Sequence, residues 1–85
     1  MSDSRGVKYA LQKGDVLENK VRAFRDQLQY TQASLAKATG VSRQTINAIE
    51  TGRYLPSLPL ALKLAKVLNQ PVEHIFFEGA RENES

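Results

Sequence analysis

The chain has 85 residues, with twelve Lys and Arg against nine Asp and Glu, for a formal net charge of +3. That length admits one small domain and leaves little room for a deep catalytic cavity. With no Cys and a single His, His74, disulfides and thiolate zinc sites are excluded, and a metal cluster or a Ser-His-Asp triad lacks members. No apolar run approaches the ~18–20 residues of a membrane span, and MSDSRG at the N-terminus has no signal-peptide core. The expectation is a soluble, cytoplasmic chain with no membrane partner, metal or cofactor.

Residues 1–14 read as a flexible or dimer-associated arm, in which VKYALQ (residues 7–12) is either a short strand or unstructured. Gly14-Asp15 then signals a helix start, with Asp15 as N-cap and Glu18 as its capping-box partner. Leu17, Val21, Phe24 and Leu28 recur at helical spacing and predict a first helix over residues 16–29. Thr31 is the next N-cap, and a second helix carrying Leu35, Ala36 and Ala38 stops at Gly40, a residue free to take positive φ. Ser42 caps a third helix over residues 43–51, with Ile46 and Ile49 facing inward and Gly52 ending it. Ser57 caps a fourth helix that tolerates Pro59 in its first turn and presents Leu60, Ala61, Leu64, Ala65 and Leu68. Asn69-Gln70-Pro71 breaks it, a fifth helix covers residues 72–78, and residues 79–85 form a solvated tail. The architecture is all-α: five short helices in one compact domain over residues 15–78.

The function is carried by TQASLAKATGVSRQTINAIETG, from Thr31 to Gly52. Two helices crossing steeply need a small residue at their contact, Ala36, and a turn residue tolerant of positive φ, Gly40. Leu35, Val41, Ile46 and Ile49 lock the second of these helices onto the first. This is the pattern of a DNA-binding helix-turn-helix. The inward isoleucines leave Arg43, Gln44, Asn47 and Ala48 on the outer face of the third helix. Arg suits the acceptor edge of guanine, Gln and Asn suit adenine, and Ala can meet a thymine methyl. The charge distribution agrees with this placement. Residues 19–55 hold Lys20, Arg22, Arg25, Lys37, Arg43 and Arg53 against only Asp26 and Glu50, whereas the flanking segments are neutral or slightly acidic.

From Asn19 to Phe76 the chain resembles the XRE, or Cro/C1-type, helix-turn-helix regulators, through NKVRAFR, TQASLAKATGVSRQTINAIETGRYLPSL and LALKLAKVLNQPVEHIF. The resemblance implies a lambda-repressor-like five-helix domain that binds operator DNA in a sequence-specific manner, as a dimer on a palindromic site. It implies phosphate contacts from Gln32, Thr51, Arg53 and Tyr54, and a salt bridge between Arg25 and Glu50 that removes Arg25 from the DNA-facing charge. Two departures stand out. Ala33 and Ser34 replace a frequent Glu, which predicts a weakened capping box at Thr31, and Pro71 stands where a Ser cap is common.

Apolar surface on the fifth helix, with Ile75 and Phe77, is the candidate dimer seam, and an isologous pair would set two recognition helices about 34 Å apart. His74 reads as a surface residue of that helix, not a metal ligand. The leading function is a transcriptional regulator, a repressor, with double-stranded DNA as partner. The alternative is an antitoxin-type module that binds a partner protein and autoregulates. No nucleophile–base pair or glycine-rich phosphate loop supports an enzyme.

Overall fold

The structure, a computed structural model, describes residues 17–79. The elements run in the order β1 (Leu17–Asn19), α1 (Val21–Gln27), α2 (Gln32–Thr39), α3 (Arg43–Glu50), α4 (Leu58–Leu68), α5 (Val72–Ile75) and β2 (Phe76–Glu78). The five expected helices are present, and a small antiparallel ladder joins the first described residues to the last. The arm over residues 1–14, its VKYALQ segment, the Asp15 cap and tail residues 80–85 lie outside the described residues.

The first helix is shorter than its periodicity predicts. Leu17, Glu18 and Asn19 pair with Glu78, Phe77 and Phe76. The backbone N–H of Lys20 extends the ladder to the Ile75 carbonyl at 2.8 Å. These bonds come from the far end of the chain, so no local pattern announces them. Glu18 is therefore a strand residue and not part of the first turn of a helix. The N-cap is Lys20, which offers no side-chain bond, and Asn19 just before it compensates: its Oδ1 accepts the Val21 N–H at 3.1 Å, satisfying one of the donors a helix start leaves open. The apolar stripe contracts to Val21 and Phe24, while Leu17 and Leu28 are exposed.

Hydroxyl caps start the next three helices. Thr31 Oγ1 accepts the Ser34 N–H, and Ser34 Oγ accepts the Thr31 N–H, both at 2.9 Å. The capping box is complete, because the Ser hydroxyl reaches back as a carboxylate would; the expected weakening does not occur. Ser42 Oγ accepts the Thr45 N–H at 3.1 Å, and Ser57 Oγ accepts the Leu60 N–H at 3.3 Å. Gly40 closes α2 at φ 79°, and Gly52 follows α3 at φ 78°. Asn69 ends α4 in the left-handed region, φ 56°, which Asn tolerates better than most residues. Pro71 gives α5 no side-chain cap. That helix lasts one turn, and the chain passes directly into β2, so the expected helix over residues 72–78 ends at Ile75.

Val21, Leu35, Ala36, Ile46, Ile49, Leu64, Leu68 and Ile75 form one buried cluster, flanked by Phe24, Tyr30, Val41, Leu60, Ala65, Val67 and Phe76. Each fully buried Leu or Ile contributes roughly 1.5–3 kcal/mol of transfer free energy. Thr39, the buried polar residue, donates its hydroxyl to the Leu35 carbonyl at 2.8 Å. Ile75 is 0% exposed. It is a core residue and cannot line a dimer seam. Phe77 is half-buried on β2, with Lys20 Nζ 5.7 Å from its ring centre. No helix among the described residues is long and apolar enough to cross a membrane.

Candidate nucleic-acid interface

α3 divides sharply into two faces. Ile46 and Ile49 are buried, and α2 and α3 pack on each other more extensively than any other pair of elements. The turn between them works because Ala36 is small and buried, and because Gly40 lets the Val41 N–H return to the Ala36 carbonyl at 3.0 Å. The opposite face of α3 presents Arg43 and Gln44, exposed in the first turn, and Asn47 and Ala48, half-buried one turn later. Neither α2 nor α3 has an acidic residue in its first turn. Their positive dipole ends are therefore uncompensated, which favours an anion there. An open groove of about 470 Å³ runs between the end of α1 and the starts of α2 and α3, bounded by Arg25, Gln29, Tyr30, Gln32 and Arg43.

Beneath this face lies an ion pair. Arg25 Nε meets Glu50 Oε2 at 2.7 Å, and Arg25 Nη2 donates to Oε1 at 3.1 Å. The side chains are 11% and 5% exposed. Arg25 Nη1 donates to the Tyr30 carbonyl at 3.1 Å, tying in the turn before α2. The hydrogen bond to Glu50 holds the Arg25 guanidinium above its ordinary pKa, partly opposed by burial and helped by the charges of Glu50 and Asp26. Arg25 is thus a structural cation.

Gln32, implied as a phosphate contact, donates its Nε2 to Glu50 Oε1 at 3.0 Å. A carboxylate only accepts, so Glu50 fixes which end of the Gln32 amide points inward. At the other end of α3, Thr51 Oγ1 donates to the Asn47 carbonyl at 2.9 Å. Arg53 Nε donates to Thr51 Oγ1 at 3.2 Å, and Arg53 Nη2 donates to Asn47 Oδ1 at 3.3 Å. Tyr54 is exposed, with its backbone N–H on the Ala48 carbonyl at 3.2 Å. The structure therefore brings all eight candidate DNA-facing residues onto α3, the start of α2 and the loop after α3. Asn19 was missed by sequence reasoning. Its Nδ2 donates to the Ile49 carbonyl at 3.0 Å and anchors the end of α3 to β1; an Asn two residues before a helical stripe was the available signal. No group of three or more metal-ligating side chains occurs among the described residues.

The helix-turn-helix family model matches residues 21–75. The chain belongs to the helix-turn-helix transcriptional regulators of the XRE, or Cro/C1, type. An uncharacterized HTH-type transcriptional regulator of Methanocaldococcus jannaschii is 52% identical over 60 residues, covering 71% of this chain and 91% of that relative. The restriction-modification controller protein C.AhdI from Aeromonas hydrophila superposes with a TM-score of 0.61 at 29% identity, over 65% of this chain and 83% of that one. SinR, the master regulator for biofilm formation, solved in complex with DNA, gives 0.60 at 25% identity, over 64% and 87%. This XRE-type protein is thus a DNA-binding regulator by family and not an enzyme.

Proposed function

We propose that the protein is a cytoplasmic repressor that binds operator DNA as a homodimer, with residues 15–78 as the DNA-binding unit and residues 1–14 and 79–85 outside it. The observation that carries this reading is the division of α3: two isoleucines fixed in the core behind Arg43, Gln44 and Asn47 on the open face. Arg43, Gln44, Asn47 and Ala48 read base edges. Gln32, Arg53 and Tyr54 engage phosphates on either side and set the register of the helix in the groove, while Thr51, whose one hydroxyl proton goes to the Asn47 carbonyl, braces Arg53 instead of donating to a phosphate. Phosphate neutralisation makes the affinity strongly salt-dependent.

Support for a dimer comes from a surface other than α5. Leu58 is 67% exposed and Leu62, one turn on, 53%; Leu55 precedes them in the loop. An apolar stripe along one helix is self-complementary across a two-fold axis. Phe77, half-buried on β2 with Lys20 over its ring, is a second candidate for the seam. Selection of bound sites from a random DNA pool at stated salt tests the reading. The expected product is an inverted repeat with half-sites about one helical turn apart. Arg43→Ala should cost about 1–3 kcal/mol and relax preference at one pair per half-site. An Arg43→Ala protein with unchanged site preference would remove Arg43 from base readout.

A further inference from the structure

We infer that Arg53 is a positioning residue for base readout: it fixes the amide of Asn47 so that Nδ2 faces the groove as a donor, which selects guanine at the pair Asn47 reads. This rests on the DNA-binding reading above and adds to it a residue that sets specificity without touching a base.

The geometry is a three-membered clamp across the last turn of α3. Arg53 is tied twice. Its backbone N–H bonds the Ala48 carbonyl at 2.9 Å, just after the left-handed turn at Gly52. Its Nε donates to Thr51 Oγ1 at 3.2 Å, and that hydroxyl in turn donates to the Asn47 carbonyl at 2.9 Å. Thr51 therefore accepts from Arg53 and donates to the helix, using both capacities of a hydroxyl. The guanidinium is then carried over Asn47, where Nη2 meets Oδ1 at 3.3 Å.

Arginine has only donors, so the atom it meets must be the Asn47 oxygen. The orientation of this amide follows from chemistry alone. Nδ2 has no protein partner among the described residues, and Asn47 is half-buried on the DNA-facing side of α3. Reading adenine with Asn requires Oδ1 to turn to the base and accept from N6 while Nδ2 donates to N7. The clamp turns Oδ1 away. What remains is a pair of N–H donors, and the matching edge is the N7 and O6 acceptor pair of guanine. Arg53 Nη1 also has no protein partner among the described residues and is left for a phosphate. Backbone contact and base contact thereby become one unit. Lysine cannot replace Arg here. Its single ammonium keeps the charge but cannot span Thr51 and Asn47 in a fixed fork.

The experiment selects sites with the full chain, then measures affinity and salt slope for wild type, Asn47→Ala, Arg53→Lys and Arg53→Ala. The pair whose preference Asn47→Ala abolishes is the Asn47 pair, and wild type should favour guanine over adenine there by about tenfold or more. Arg53→Lys should reduce that ratio below about threefold while the slope of log K against log salt stays unchanged. Arg53→Ala should lose both the ratio and about one unit of slope per half-site. The inference is overturned if Arg53→Lys keeps the full guanine preference, if the selected base is adenine, or if Asn47→Ala alters no preference. A wild-type protein that enriches no site removes the operator-binding reading itself, which distinguishes the two failures.

Discussion

Replacing Arg25 by Met tests the ion pair under the proposed DNA-facing surface. Arg25→Met keeps most of the aliphatic stem and deletes the guanidinium. Glu50, 5% exposed, then retains only the Gln32 amide, and the Tyr30 carbonyl loses its donor. Removing one member of a buried pair costs about 3–5 kcal/mol, because the remaining charge is left without compensation. A domain of this size is stable by roughly 3–9 kcal/mol at ~0.05–0.15 kcal/mol per residue. The variant should therefore lose a third or more of the stability of the domain at 25 °C. Urea unfolding followed by far-UV circular dichroism measures the loss. In the double variant Arg25→Met/Glu50→Leu the orphaned carboxylate is gone, and stability should return to within about 1 kcal/mol of wild type. The nearby Arg22–Asp26 pair, 3.9 Å apart and 76% and 60% exposed, is the internal control. Arg22→Ala should change stability by less than about 0.5 kcal/mol. An Arg25→Met loss below about 1 kcal/mol would refute the buried-charge argument. A double variant no more stable than the single one would instead assign the loss to packing.

Two further substitutions probe other parts of the domain. Leu58→Glu/Leu62→Glu places like charges across the proposed seam and should give a monomer in sedimentation velocity with operator affinity sharply reduced; a persistent dimer would move the seam elsewhere. Gln29 adopts φ 63° between α1 and α2, a region that costs a side-chain-bearing residue roughly 1–2 kcal/mol. Gln29→Gly should stabilise by about 0.5–1 kcal/mol after the added chain entropy, raising Tm by about 2–8 °C, and an unchanged or lowered Tm would contradict the strain.

The helix-turn-helix was legible because its signals are local. Ser42, Gly40 and the Ile46–Ile49 spacing each act within one or two turns, and all point to the same local structure. Ser57 and Asn69 bounded α4 for the same reason. The two ends misled because their structure is decided elsewhere. Leu17 and Glu18 fit a helical stripe and a capping box, yet their partners are Phe77 and Glu78. Ile75 reads as surface only if the fifth helix runs to residue 78, three residues past its real end. At the site, residue identities came from the pattern, but the clamps did not. That Gln32 leans on Glu50 and Arg53 on Asn47 depends on the path of the loops that bring residues 18 and six positions apart together.

The β1–β2 ladder has a consequence for how the chain acquires its shape. Its paired residues lie about sixty positions apart, whereas α2 and α3 meet across a three-residue turn. Closing the longer loop carries the larger entropic penalty, so the helix-turn-helix can form before the ladder does. Asn19 is the hinge between those stages, because it holds the first N–H of α1 and grips the end of α3 from a strand held in place by the opposite terminus. Order at α3 is therefore complete only when the last residues of the domain have arrived. Loosening of Phe76–Glu78 would reach α3 through Asn19, by local unfolding that begins far from the proposed DNA-facing surface.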